Sequence, residues 1–147
     1  MSESKGRKYN YEAMFLITQA NSVDLGGVVD HIREIFRRAH AELIAMKKWD
    51  ERRLAYEIDK QKRGLYILAY FSCDPVNIAN MERDCNLSEK ILRALILRAD
   101  HLTVEEMQAA EGQRELETEA QLRKARALET PAAPAAEARP AEVETPA

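Results

Sequence analysis

The sequence predicts an α+β domain built on an antiparallel sheet and followed by a C-terminal extension. Of the 147 residues, 46% are hydrophobic and only 6% are aromatic, which suits one compact core of roughly 100 residues. Apolar patterns with strand and helix periodicity alternate from Tyr9 to Leu102. Beyond Leu102 the sequence becomes charged and then rich in Pro, Ala and Glu. These observations predict one folded domain, followed by a polar tail that does not continue its apolar patterns.

The first part of the domain is predicted to form a strand and a helix. Residues 9–18 are rich in aromatic and branched side chains and end in a polar run, which is typical of a strand. Between Leu25 and Ala39 the apolar residues recur every three or four positions, so they line one face of a helix. Ser22 or Asp24 can cap the start of this helix.

The second part is predicted to form a hairpin, a helix and a last strand. Residues 43–58 and 65–73 are strand-like, and the polar connection between them ends in Gly64. Pro75 suits the first turn of a helix, because its missing N–H would have no partner there. Residues 91–98 are apolar enough to form the final strand.

The order strand, helix, strand, strand, helix, strand is the split β-α-β pattern of ferredoxin-like domains. This fold has an antiparallel four-stranded sheet with both helices on one face. Right-handed crossovers place the first and third strands in the centre and the second and fourth strands at the edges. We therefore expect the second strand to lie at an edge of the sheet.

The chain divides into four segments by composition. Residues 1–8 form a basic N-terminal arm, and residues 9–102 form the ferredoxin-like domain. Residues 103–129 alternate charge, alanine and leucine, which predicts a charged and solvated helical extension that contributes little to the core. Residues 130–147 cannot bury enough apolar surface to offset chain entropy, so we expect them to be disordered.

The net charge of −3 conceals an uneven distribution along the chain. Residues 1–102 carry 17 Lys or Arg and 15 Asp or Glu, which makes +2, whereas residues 103–147 carry 5 and 10, which makes −5. Residues 47–63 carry seven basic and four acidic side chains, which makes a local patch of +3. Local fields of this kind attract polyanions even when the net charge is negative.

The sequence contains no pattern that favours catalysis or a membrane location. Its three histidines are scattered, and Gly26-Gly27 lacks the lysine and serine of a phosphate-binding loop. Cys73 and Cys85 lack metal-ligand spacing, so we expect them to be reduced core residues. No apolar run approaches the roughly 20 residues of a membrane span. We expect a cytoplasmic protein that is not an enzyme and has no cofactor, metal, membrane or small-molecule partner.

The basic stretch that begins at Lys47 is the candidate RNA-binding element. Phosphates attract flexible cations, and unstacked bases need an aromatic face such as that of Trp49. Lysines at a sheet edge also discourage aggregation, so a solvated edge is an equal alternative. Leu54 and Tyr56 have the period-two spacing of residues that pack on a sheet face. Including the two ends of the domain, the candidate RNA-binding residues are Arg7, Lys8, Lys47, Lys48, Trp49, Arg52, Arg53, Arg93 and Arg98.

Two other functions are compatible with this order of elements. Residues 63–70 loosely follow the basic, glycine and aromatic octamer of RNA-recognition-motif domains, which bind single-stranded RNA. However, Leu65 and Ile67 occupy positions where that module needs stacking aromatics. A ferredoxin-like module for protein interaction or for a small ligand is the other alternative.

Several short motifs resemble those of the bacterial small-subunit ribosomal protein six family. They are Trp49-x-x-Arg52-Arg53-Leu54-Ala55-Tyr56, Tyr11-Glu12, Gly64 with Tyr66, and Ile91-Leu92-Arg93. The resemblance runs from about Tyr9 to Ala99 and departs at Asp50 and Glu57, where relatives often carry glycine and proline. It implies a ferredoxin-like fold and a structural role in the small ribosomal subunit. It further implies binding to the central domain of 16S ribosomal RNA as a heterodimer with small-subunit ribosomal protein eighteen.

Overall fold

The computed structural model describes residues 8–58 and 61–129, in which strands and helices follow one another in the predicted order. The strands are β1 (Tyr9–Thr18), β2 (Glu42–Ile58), β3 (Gln61–Cys73) and β4 (Arg93–Arg98). The helices are α1 (Gln19–Ser22), α2 (Leu25–Arg38), α3 (Ile78–Leu87), α4 (Val104–Gln108) and α5 (Gln113–Glu129). The basic arm before Lys8 and the predicted disordered tail of residues 130–147 lie outside the described residues. Each described helix is too short or too polar to cross a lipid bilayer.

The sheet confirms the predicted α+β, ferredoxin-like fold. Its strand order is β2-β3-β1-β4, and every neighbouring pair is antiparallel. The first and third strands are therefore central, and β2 and β4 form the edges. Helices α2 and α3 pack on one face, which we call the helix face, and the opposite face is called the open face.

The main core lies between the helix face and α2. Phe36 of α2 packs its ring 4.8 Å from that of Phe71 and 6.0 Å from that of Phe15, measured between centroids. Such tilted and edge-to-face pairs are favourable aromatic geometries. The start of α2 is capped as predicted, because the Asp24 carboxylate accepts a hydrogen bond of 3.2 Å from the backbone N–H of Gly27.

Gly64 has a different role from the one that the sequence indicated. The third strand begins at Gln61 rather than near residue 65, so Gly64 lies inside β3 and not in the hairpin connection. A Cβ atom at Gly64 would lie 2.4 Å from Cδ1 of Leu16 and 3.3 Å from the carbonyl oxygen of Ile17. Glycine suits this position because any larger residue would push aside the Leu16 side chain of the neighbouring strand β1.

Pro75 lies one turn before the helix that it was expected to start. It begins a short 3-10 turn, Pro75–Asn77, and α3 follows from Ile78. The Asp74 carboxylate accepts a hydrogen bond of 3.0 Å from the backbone N–H of Val76 and caps this turn. The missing N–H of proline is tolerated here for the predicted reason, since it would have no partner at the start of a helical segment.

The expectation that the core ends by Leu102 is wrong. Met107 of α4 is fully buried on the open face, where it packs with Ala45, Leu68, Tyr70 and Ala99. Leu116 of α5 is only 1% exposed and belongs to the main core on the helix face. Helices α4 and α5 each contribute only one large buried side chain. The sequence of this segment therefore lacks the periodic apolar face by which a packed helix is recognised.

Residues 104–129 surround the edge of β2, and we call them the edge clasp. Between α4 and α5 the backbone N–H of Gly112 donates a hydrogen bond of 2.9 Å to the carbonyl oxygen of Met46. The backbone N–H of Met46 donates one of 3.2 Å to the Glu111 carboxylate. A Cβ atom at Gly112 would lie 2.8 Å from Cβ of Lys47, so the two backbones approach closely. The clasp therefore supplies partners for backbone groups that an edge strand leaves unpaired.

We expect Leu116→Ala to lower the free energy of unfolding by about 2–4 kcal/mol, because it removes a fully buried side chain and leaves a cavity. The matched control is Leu122→Ala on the same helix, where the side chain is 58% exposed. This control should change stability by less than about 0.5 kcal/mol. Urea unfolding of both variants measures the difference. Equal and small effects would mean that α5 does not unfold together with the sheet.

Candidate nucleic-acid interface

The β2–β3 hairpin carries the predicted basic patch, and its far end is irregular. Arg52 pairs with Gly64 and Arg53 pairs with Arg63, but the next matched pair is Ile58 with Gln61. Residues 54–57 of β2 therefore lie opposite a single residue of β3. This difference makes a large bulge, which interrupts the regular alternation of side chains.

The expectation that Leu54 and Tyr56 both pack on the sheet is half correct. Leu54 is buried, but Tyr56 is 75% exposed. The reason is the register shift within residues 54–57, since a bulge interrupts the alternation on which the expectation depended.

Trp49 lies at another irregularity, between the matched residues Lys48 and Asp50. Its ring is 46% exposed and makes an edge-to-face contact with Tyr66 at 5.7 Å between centroids. The guanidinium of Arg52 lies 4.9 Å from the centre of the Trp49 ring, within cation–π range. The indole is therefore held in place from two sides, and part of its surface is left for a ligand.

Asp50 organises this irregularity. Its carboxylate accepts a hydrogen bond of 2.7 Å from the backbone N–H of Glu51 and one of 2.8 Å from Nε of Arg52. These two bonds, the backbone one foremost, hold the pKa of Asp50 below its ordinary value. The side chain of Asp50 thus engages one of the candidate cations.

Lys48 is engaged by the edge clasp rather than presented to solvent. Its Nζ lies 3.0 Å from a carboxylate oxygen of Glu119 and 3.6 Å from one of Glu51. Arg123 of α5 contacts the same two acids, at 2.6 Å from Glu119 and 2.8 Å from Glu51. Its guanidinium also donates at 3.3 Å to the carbonyl oxygen and to the hydroxyl of Ser22. These ionic contacts join β2, α5 and the end of α1.

The clasp network shifts the pKa values of Glu119 and Arg123. Burial would raise the pKa of Glu119, but hydrogen bonds from Arg123 and Lys48 outweigh it and hold the pKa below its ordinary value. Burial likewise opposes the charge of Arg123, and its hydrogen bonds to Glu119 and Glu51 nevertheless raise its pKa. Both shifts favour the charged forms of Glu119 and Arg123.

The other candidate cations differ in how freely they can meet a phosphate. Lys47 is half-buried beside Gly112, whereas Arg53 is exposed and has no ion pair among the described residues. At the opposite edge of the sheet, Arg98 lies 3.7 Å over the Tyr9 ring and binds Asp100 at 3.0 Å. Of the remaining candidates, Arg93 and Lys8 are exposed, and Arg7 lies outside the described residues. The candidates thus form two groups at opposite edges rather than one surface.

The open face does not display the aromatics of an RNA-recognition motif. Leu65 and Ile67 are fully buried on the helix face. Tyr70 faces the other way but is covered by the cluster around Met107. The geometry therefore disfavours the stacking platform on which that alternative depends.

The open face does display two leucines on the edge strand β4. Leu95 and Leu97 are 58% and 52% exposed, while their neighbours Ala94 and Ile96 pack against the main core. Alternation places the two leucines side by side on the open face. They form a short apolar strip that we call the β4 strip.

The cysteines occupy the positions that the sequence predicted. Cys73 and Cys85 are both buried and unpaired. Burial raises the pKa of the Cys85 thiol to about 12 and also raises that of Cys73. Thiols in such surroundings are unreactive. Among the described residues, no three His, Cys, Asp or Glu side chains are grouped so that they could hold a metal ion.

The chain is similar to several known ribosomal proteins. A family model described as "Ribosomal protein S6" matches residues 10–98. Small ribosomal subunit protein bS6 of Desulforamulus reducens is 32% identical over 90 residues, which is 60% of this chain and 95% of the relative. Its counterpart in Rhodopirellula baltica is 33% identical over 96 residues, which is 65% of this chain and 69% of the relative. The crystal structure of 30S ribosomal protein S6 from Thermotoga maritima superposes with a TM-score of 0.60 at 26% identity, covering 70% of this chain and 98% of that one.

We expect Glu119→Gln to lower the free energy of unfolding by about 1 kcal/mol at neutral pH, because Lys48 and Arg123 lose a charged acceptor that is partly screened by solvent. The folded-state pKa of Glu119 is lowered, so its contribution is complete above the ordinary value of 4.5. It is lost as the pH falls through the folded-state value. Urea unfolding from about pH 7 to pH 3 should therefore show that the free energies of unfolding of wild type and Glu119→Gln converge at acidic pH.

The control for this measurement is Glu82→Gln, which changes an exposed acid of α3 that has no ion pair among the described residues. Its effect should stay below about 0.5 kcal/mol at every pH. A constant difference between wild type and Glu119→Gln across the range would contradict the assigned charge interactions.

Proposed function

The chain belongs to the ribosomal protein S6 family, and from this premise we propose that it is a structural constituent of the bacterial small ribosomal subunit. It binds the central domain of 16S ribosomal RNA together with small-subunit ribosomal protein eighteen, and it resides in the cytoplasm with the ribosome. The observation that carries the proposal is the family match over residues 10–98, which includes nearly the whole four-stranded sheet. The relatives are ribosomal proteins, which fits a function in binding rather than catalysis.

The exposed cations of the hairpin support the RNA part of the proposal. A ribosomal protein stabilises a folded RNA by neutralising phosphates and releasing the counterions around them. Arg53 has no ion pair with a described residue, and Trp49 of the same strand offers a partly exposed aromatic surface. Because the clasp already neutralises Lys48, we assign that residue less weight than the sequence indicated.

The β4 strip supports the protein part of the proposal. Leu95 and Leu97 lie on an edge strand, where a neighbouring chain can contact both apolar side chains and unpaired backbone groups. Both leucines are exposed and lie outside the open-face cluster around Met107. We assign it to small-subunit ribosomal protein eighteen.

The charge of the domain predicts cooperative binding. A balance of +2 over residues 1–102 is small for an RNA-binding domain, and Leu65 and Ile67 are buried where a stacking module needs exposed aromatics. We expect this chain alone to bind a central-domain 16S fragment weakly, and the chain together with the partner to bind it much more tightly. Titrating the RNA with this chain, with the partner and with both measures the difference. Tight binding by this chain alone would instead indicate an independent RNA-binding module.

Leu97→Asp should weaken the heterodimer by at least ten-fold, because it places a charge in a contact that must be desolvated. Leu122→Asp is the control, since it makes the same change at an exposed leucine of α5. Calorimetric titration with the partner measures both affinities, and circular dichroism checks that both variants are folded. If both variants bind as the wild type does, the partner does not use the β4 strip.

A further inference from the structure

We propose that the irregular end of the β2–β3 hairpin binds an unpaired RNA nucleotide. Arg53 and Arg63 hold its phosphate, and the Tyr56 ring stacks on its base. This inference rests on the proposed RNA-binding function and assigns two residues, Arg63 and Tyr56, that the candidate set did not contain.

The first observation is the pairing of two like charges. Arg53 and Arg63 are direct cross-strand partners, and both are exposed. Directly opposite residues of an antiparallel pair have Cβ atoms about 5 Å apart, and like charges in that position repel each other. Neither arginine has an acidic partner among the described residues. An anion between the two guanidinium groups would relieve the repulsion, and phosphate oxygens match their forked donors.

The second observation is the contrast with nearby cations of the same strand. Lys48 binds Glu119, and Arg52 binds Asp50 while its guanidinium lies over the Trp49 ring. Both of these side chains would have to leave a protein partner to contact a phosphate. Arg53 and Arg63 would break no ion pair with a described residue. The structure therefore makes this pair better suited to an external anion than the two engaged cations.

The third observation is the position of Tyr56 in the bulge. Leu54 is buried and anchors the bulge, whereas the Tyr56 side chain is 75% exposed two residues later. Three residues of chain span at most about 10 Å, so the Cα atoms of Arg53 and Tyr56 lie within that distance of each other. An exposed ring within reach of two unpaired arginines suits a nucleotide whose base is unstacked, because stacking requires an open face of the base. A paired base inside a duplex could not make this contact.

The test uses the full chain with the partner protein, a fluorescent central-domain 16S fragment that keeps its unpaired junction nucleotides, and a fully paired RNA duplex as the comparison probe. The variants are Arg63→Ala, Arg53→Ala, their combination, Tyr56→Ala and Tyr56→Phe. The matched control is Arg83→Ala, which removes an exposed arginine of α3 that has no ion pair among the described residues. Anisotropy titrations at several salt concentrations give the affinity and its salt dependence.

We expect Arg63→Ala to weaken binding of the fragment several-fold and to reduce the salt-dependence slope by less than one unit, because Arg53 still contacts the shared phosphate. The double arginine variant should lose less than the two single losses combined, because both side chains hold one phosphate. Tyr56→Ala should lose about ten-fold for the fragment and nothing for the duplex, while Tyr56→Phe and Arg83→Ala bind as the wild type does.

Three results would overturn the inference. If Arg63→Ala and Tyr56→Ala bind the fragment as the wild type does, the site is wrong while the proposed RNA-binding function stands. If these variants instead weaken the heterodimer in the absence of RNA, the hairpin end is a protein interface. If the wild-type heterodimer does not bind the fragment at all, the proposed function fails and the inference fails with it.

Discussion

The exposed edge of β2 is the constraint on which much of this structure depends. Because β2 is the outermost strand, its backbone groups need partners that the sheet does not supply. The chain supplies them from residues 104–129, where Gly112 and Glu111 bind the backbone of Met46. The segments on either side then reach opposite faces of the sheet, so α4 covers part of the open face and α5 joins the helix face. Residues 104–129, which the sequence predicted to be a charged extension, are therefore part of the folded domain.

Charged contacts hold α5 against β2. They also divide the basic residues of β2 into those that are paired within the protein and those that are not. Lys48 and Arg123 share the carboxylates of Glu119 and Glu51 in a partly buried network. Charges removed from water must be paired, and here each cation contacts both acids. The consequence for binding is direct, because a lysine committed to the protein contributes little to the attraction of RNA. Arg53 and Arg63 at the irregular hairpin end have no ion pair with a described residue, so they remain available to the proposed RNA.

The molecule thus separates its two proposed contacts by the width of the sheet. The hairpin of β2 and β3 presents cations and exposed aromatic rings, which suit RNA, and the far edge presents the leucines of the β4 strip, which suit a protein. With two central strands between these edges, one partner can occupy each without displacing the other. A modest charge is sufficient when a neighbouring protein shares the RNA surface, since each partner then neutralises only some of the phosphates.

The sequence by itself determined the order of elements, the central and edge strands, a cap at Ser22 or Asp24 and the core of β1 and α2, because these depend on local periodicity and on capping chemistry that operates within a few residues. The tertiary structure decided the rest. The need for Gly64 depends on Leu16 of another strand, and the exposure of Tyr56 depends on a register shift between two strands. Burial of Leu116 and the pairing of Lys48 with Glu119 depend on where a distant segment crosses the sheet. Each of these contacts depends on a single side chain that meets a residue far away in sequence. A single side chain creates no periodic pattern, so only the folded chain shows the contact.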